Sequence, residues 1–165
     1  MSDAGIVLED CRIARHQMEF PLQVAPDRVW QALVDETAAW WPRDFYALPE
    51  PLGFRIEARA GGRAYEYAED GSELLWFTVI QARQGKALEV VGHLTPEYGG
   101  PVTITLQLHL EGTAEGTLLR LSESLVGAVN EAMVVQLREG WQLLFGEGFT
   151  RYVERDNMGI IEEQK

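Results

Sequence analysis

Residues 130–155, NEAMVVQLREGWQLLFGEGFTRYVER, decide the fold. Met133, Leu137, Trp141, Leu144 and Tyr152 recur at steps of three, four or eight, which aligns them along one stripe of a helix. Val134, Phe145, Phe149 and Val153 widen that stripe into an apolar face, while Gln136, Glu139, Gln142, Glu147 and Glu154 fall mostly on the other side. Asn130 is suited to cap the first turn, and the negative charge of Glu131 suits the helix dipole. At 1.5 Å per residue such a helix is roughly 35–40 Å long, enough to cross a small domain. Nothing else in the chain makes a second helix of that length, so the partner for its apolar face has to be a sheet. Gly140, Gly146 and Gly148 lie inside it, each at a cost of about 0.5–1 kcal/mol relative to Ala. Two readings are open. Gly148 lets a strand approach or the helix bend, or the missing side chains leave room for a ligand.

The rest of the composition fits one folded domain. The chain has 165 residues, 46% of them apolar. A net charge of -12 argues against nucleic acid and against an anionic membrane surface as partners. No apolar run approaches a membrane span, and MSDAGIVLEDCRIAR lacks the order of a signal peptide. Cys11 stands alone, so no internal disulfide forms, and the expected location is the cytoplasm. Residues 1–11 read as a flexible lead-in, 12–155 as the single domain and 156–165 as a tail.

Upstream of the long helix the pattern changes to strands. Residues 12–24 form a first strand, with Pro21 arguing for an edge position. APDRVWQALVDE is a short amphipathic helix with Pro26 in its first turn. Thr37 can cap a second, TAAWW, which ends at Pro42. One of the adjacent Trp40 and Trp41 is expected to pack inward and the other to line a rim or cavity. Residues 42–53, PRDFYALPEPLG, read as an irregular loop free to act as a gate. Six strands follow, FRIEARA, RAYEYAED, ELLWFTVIQAR, KALEVVGHL, VTITLQLHLEG and GTLLRLSES, separated by turns such as Asp70–Gly71. In the fifth, Val102, Ile104, Leu106, Leu108 and Leu110 share one face, and Thr103, Thr105, Gln107 and His109 the other. The expected class is α+β: a curved antiparallel sheet wrapped around the long C-terminal helix, with two short helices after the first strand.

That order resembles the START-like (SRPBCC) superfamily and its helix-grip fold. The closest likeness is to the bacterial branch similar to the C-terminal domain of the heat-shock protein 90 ATPase activator. The matching pieces are VAPDRVWQALVD followed by WWP, the Gly61–Gly62 pair opening GGRAYEY, then WFTVIQARQGKALEV and EGWQLLFGEGFTRYVE. The resemblance runs from about Phe20 to Glu154. It implies the fold, and a choice among ligand carriers, cyclase or dehydratase-type enzymes, and cochaperone-like partner-binding domains. It carries over no catalytic residue.

Chemistry-bearing motifs are scarce. His16, His93 and His109 lie on separate strands without metal-ligand spacing, so no metal is expected, and no cofactor motif occurs. No nucleophile elbow is present. What remains is an aromatic set from loop, sheet and helix: Trp41, Phe45, Tyr65, Tyr67, Trp76, Trp141 and Phe145. Such residues either fill a core or wall an apolar pocket, here for a small hydrophobic or aromatic molecule. The polar candidates are Glu66, His93, Arg120 and Glu123. His93 is either an acid/base group in that pocket or a solvent-facing residue. Glu66 lies opposite Tyr65 and Tyr67 and is expected in solvent, and Arg120 is expected to pair with acidic neighbours on the outer face.

Overall fold

The computed structural model describes residues 5–162, with side chains through residue 156. The first four residues of the expected lead-in and the last three of the expected tail lie outside that range. Seven strands make one antiparallel sheet: β1 (Arg12–Leu22), β2 (Pro51–Ile56), β3 (Arg63–Ala68), β4 (Glu73–Arg83), β5 (Ala87–Leu94), β6 (Val102–Thr113) and β7 (Gly116–Gly127). Their spatial order is β1-β7-β6-β5-β4-β3-β2, which places β1, with Pro21, at one edge and β2 at the other. Two short helices, α1 (Pro26–Asp35) and α2 (Thr37–Trp40), link the two edge strands. The sheet curves around the C-terminal helix.

The alternation of β6 holds. Val102, Ile104, Leu106, Leu108 and Leu110 are all buried, and Gln107 is exposed. Leu119, Leu121 and Leu125 of β7 join the same layer with no exposed surface, as do Leu144 and Phe149 from the helix. Each such side chain contributes about 1.5–3 kcal/mol on burial. That sum outweighs the helix glycines, at about 0.5–1 kcal/mol each.

The helix begins where expected: the Asn130 side chain accepts from the Met133 N–H at 2.8 Å. It is one run of three parts, however. α3 (Glu131–Trp141) passes into a π-helical segment (Gln142–Phe149), then α4 (Thr150–Glu162) continues beyond Arg155. The Thr150 N–H bonds to the Phe145 carbonyl five residues back, and its hydroxyl donates to the same oxygen at 2.7 Å. Along this segment Trp141, Phe145 and Phe149 follow one another with successive ring centroids 5.8 and 5.9 Å apart. No strand approaches Gly148. A Cβ there would meet Pro42 and the Trp40 carbonyl at 3.8 and 3.9 Å, and one at Gly140 would meet the Phe45 ring at 3.9 Å. At both positions a methyl would make only ordinary van der Waals contact with the segment after α2.

One smaller expectation is corrected. Thr37 does not cap α2; its hydroxyl donates to the Leu33 carbonyl at 2.8 Å, which joins the two short helices. Trp40 and Trp41 are both buried, because the chain turns between them and the Trp40 indole N–H finds the Ala32 carbonyl at 2.7 Å.

Candidate functional site

Between the helix and the middle of the sheet lies an apolar cavity of about 40 Å³. Trp41, Phe54, Ala64, Leu106, Trp141 and Phe145 are among its walls, and every lining residue is apolar. Its size is well below the 300 Å³ or more of ordinary ligand pockets. The core is closed here, so a larger occupant requires a wall to move.

The wall nearest β2 is aromatic. The Trp41 ring stacks on Phe54 at 4.0 Å and 18°. Trp76 meets Trp41 edge-on at 5.3 Å, and Phe45 does so at 6.3 Å. Trp76 reaches this group because it is the extra residue of a β-bulge: Ala64 faces Phe77 and Tyr65 faces Leu75, leaving Trp76 unpaired between them. The indole N–H groups of Trp41 and Trp76 are both buried without a hydrogen-bond partner among the described residues. Buried donors are nearly always paired, so two orphans in touching rings are unusual.

Residues 42–53 cover this cluster. They are not the unsecured gate expected from sequence. Arg43–Phe45 forms a 3₁₀ turn, and β2 begins within the stretch. The fastening is polar. Glu66, with no exposed surface, accepts from the Ala47 N–H at 3.0 and 3.1 Å and from the Leu48 N–H at 2.6 Å. This overturns the expectation of a solvated Glu66. β3 does alternate, but Ala64 and Glu66 are its inward residues, and the carboxylate is tolerated because two loop amides satisfy it. Next to it, burial pushes the Tyr46 hydroxyl above its ordinary pKa, with Tyr67 and Glu66 adding to the rise.

Tyr65 and Tyr67 therefore lie on the opposite face of the sheet from the cavity. Arg63 stacks on Tyr65 at 3.9 Å and Arg55 on Tyr67 at 4.4 Å. Both tyrosines line a separate surface groove of about 510 Å³ beside β2, together with Tyr152. His93 stands apart again: it is exposed, with Nδ1 3.1 Å from the Thr103 hydroxyl. Of the eight aromatic and histidine candidates, Trp41, Trp141 and Phe145 line the cavity, and Phe45 and Trp76 pack against Trp41. Arg120 pairs with Glu19 at 2.9 Å and with Glu111 on the outer face, as expected.

Glu123 is the second buried carboxylate, 1% exposed. It accepts from the Trp141 indole N–H at 3.0 Å and pairs with His16 Nε2, so it ties β1 and the helix to β7. His16 Nδ1 is buried without a partner among the described residues. The sequence reading missed His16. The signal was present, because alternation back from Leu22, Phe20 and Met18 puts His16 on the inner face. Neither Glu123 nor His16 lines the cavity.

A curved antiparallel sheet gripping a C-terminal helix over an apolar interior defines a START-like, helix-grip protein. The chain belongs to the family described as Activator of Hsp90 ATPase homolog 1-like protein, whose model matches residues 23–154. Comparison with curated protein sequences yields no match. Solved structures share the fold. An uncharacterized protein from Rhizobium leguminosarum is 17% identical, with a TM-score of 0.68 over 90% of this chain and 99% of that one. Protein MLL2253 from Mesorhizobium loti is 20% identical, with a TM-score of 0.64 over 86% and 98%. An AHSA1-like protein from Aeromonas hydrophila is 20% identical, with a TM-score of 0.59 over 87% and 94%. At these identities the likeness is one of fold. No helix among the described residues is long and apolar enough to cross a membrane.

Proposed function

We propose that this protein binds a small, largely apolar or aromatic molecule in the interior between the helix and the sheet, and does so in the cytoplasm. The observation that carries this reading is a pair of buried, unpartnered indole N–H groups, one on Trp41, which lines an all-apolar cavity, and one on Trp76, which meets Trp41 edge-on. A ligand acceptor would satisfy donors that the protein leaves orphaned. The π-helical segment supplies Phe145 to the same cavity, and such segments are frequent at functional sites. Entry is by displacement of residues 42–50, held by Phe45 packing and by the Ala47 and Leu48 amides on Glu66. Smooth apolar walls favour a carrier over a cyclase or dehydratase, since no acid/base group lines the cavity.

The test uses Nile red, a neutral hydrophobic dye, on the native chain. Saturable binding at about one site is expected, with tryptophan emission quenched in step. Ala64→Leu, which extends a cavity wall into the space, should abolish binding while circular dichroism stays native. Dye that binds only when the protein is partly unfolded, or equally well to the Ala64→Leu variant, would overturn the reading and favour a partner-binding domain.

A further inference from the structure

Glu66 is a wholly buried carboxylate with no Lys, Arg or His within ion-pair distance among the described residues. Buried charges are as a rule paired, and two backbone N–H groups supply partial rather than full charge. A carboxylate also has more lone-pair sites than the three contacts from Ala47 and Leu48 occupy. Glu123, the other buried acid among the described residues, has its histidine.

The position of Glu66 says what the missing charge would meet. Glu66 is the register partner of Phe54 on β2, so the two side chains share a face and adjoin. Phe54 carries the stacked Trp41 ring and touches Trp76 edge-on at 6.0 Å. Ala64, two residues before Glu66 on the same face, lines the cavity. The carboxylate thus stands beside Phe54, at the loop end of an aromatic cluster. Aromatic faces attract cations, most strongly when desolvated, and aromatic surroundings suit alkylated ammonium groups. An adjacent carboxylate adds a full negative charge.

The structure assigns the interior a ligand class: we infer that, once residues 42–50 are displaced, it takes an organic cation, an alkylammonium-bearing molecule whose charged head sits beside the Trp41, Phe54 and Trp76 cluster, against Glu66. This rests on the binding reading above. The same molecule needs an acceptor for the indole N–H groups, so a hydroxylated ammonium compound meets both requirements. Binding also offers Glu66 a cation in exchange for the loop amides, which couples occupancy to release of residues 47 and 48.

Calorimetry on the full chain compares two probes of equal shape: choline, and the neutral alcohol in which a tert-butyl group replaces its trimethylammonium group. Wild type should bind the cation at least about tenfold more tightly. In Glu66→Gln, which keeps an acceptor for the loop, the preference should fall to parity. Hydrogen exchange at the Ala47 and Leu48 amides should accelerate on addition of the cation. Equal binding of both probes by wild type overturns the inference and needs no variant to do so. So does a cation preference that survives in Glu66→Gln. Neither probe binding while Nile red binds leaves the apolar-carrier reading standing and overturns only the cation. Failure of Nile red and both probes overturns both.

Discussion

Trp141→Ala and Trp141→Phe separate packing from hydrogen bonding at the centre of the molecule. Trp141 is 7% exposed, its ring lies 5.8 Å from Phe145 and 6.5 Å from Phe77, and its N–H donates to buried Glu123 at 3.0 Å. Alanine removes both kinds of contact. Truncating a large core aromatic costs about 3–5 kcal/mol. Stripping a buried carboxylate oxygen of its donor adds about 1–3 kcal/mol. Phenylalanine keeps a ring in place and loses the donor, so it should cost about 1–3 kcal/mol. Against a typical domain stability of about 5–15 kcal/mol, the alanine variant sits near its threshold and the phenylalanine variant does not. Urea unfolding followed by far-ultraviolet circular dichroism gives both values from midpoint and slope. Tryptophan emission is avoided, since the substitution deletes one of five reporters. Phenylalanine indistinguishable from wild type would refute a stabilising bond to Glu123. Alanine indistinguishable from wild type would refute the core position of Trp141.

Gly92 lies beside the bulge that delivers Trp76, and a Cβ there would come within 2.4 Å of the Trp76 carbonyl and 2.7 Å of the Phe77 ring. Gly92→Ala should therefore cost about 1–3 kcal/mol by thermal melting, and an unchanged melt would show that β4 does not press on Gly92. Hydrogen bonds from Arg28, the larger cause, and from the Tyr152 hydroxyl hold the Glu36 carboxyl below its ordinary pKa of 4.5. A depressed folded pKa means that its stabilisation is complete above the ordinary value and lost as pH falls through the folded one. The stability gap between wild type and Glu36→Gln should therefore be constant near neutrality and close under acid conditions. A gap that persists unchanged down to about pH 3 contradicts this assignment.

Much of the architecture was legible because it is local. The period of residues 130–155, the Asn130 cap, the turn at Asp70–Gly71 and the alternation of β6 each depend on near neighbours along the chain. The π-helical segment was not legible, since the aromatic spacing of four fits an α-helical stripe nearly as well. The candidate site was legible only in part. Trp41, Trp141 and Phe145 line the apolar interior, where their own apolar character directs them. Tyr65 and Tyr67 were not, because alternation says that Glu66 faces away from them without saying which side is the core.

By itself, then, the sequence determined the element order, the strand phases and the need for a sheet to cover one long helix. Burying an apolar stripe has few solutions once those are set. Tertiary structure alone decided the inward face of β3, the closed state of the cavity and the identity of the polar partners. The reason is that a buried carboxylate is stable only where donors converge on it. For Glu66 those donors are loop amides 18 and 19 residues away, and for Glu123 a histidine 107 residues away. Such a balance of desolvation against hydrogen bonding exists only after the chain has brought the groups together.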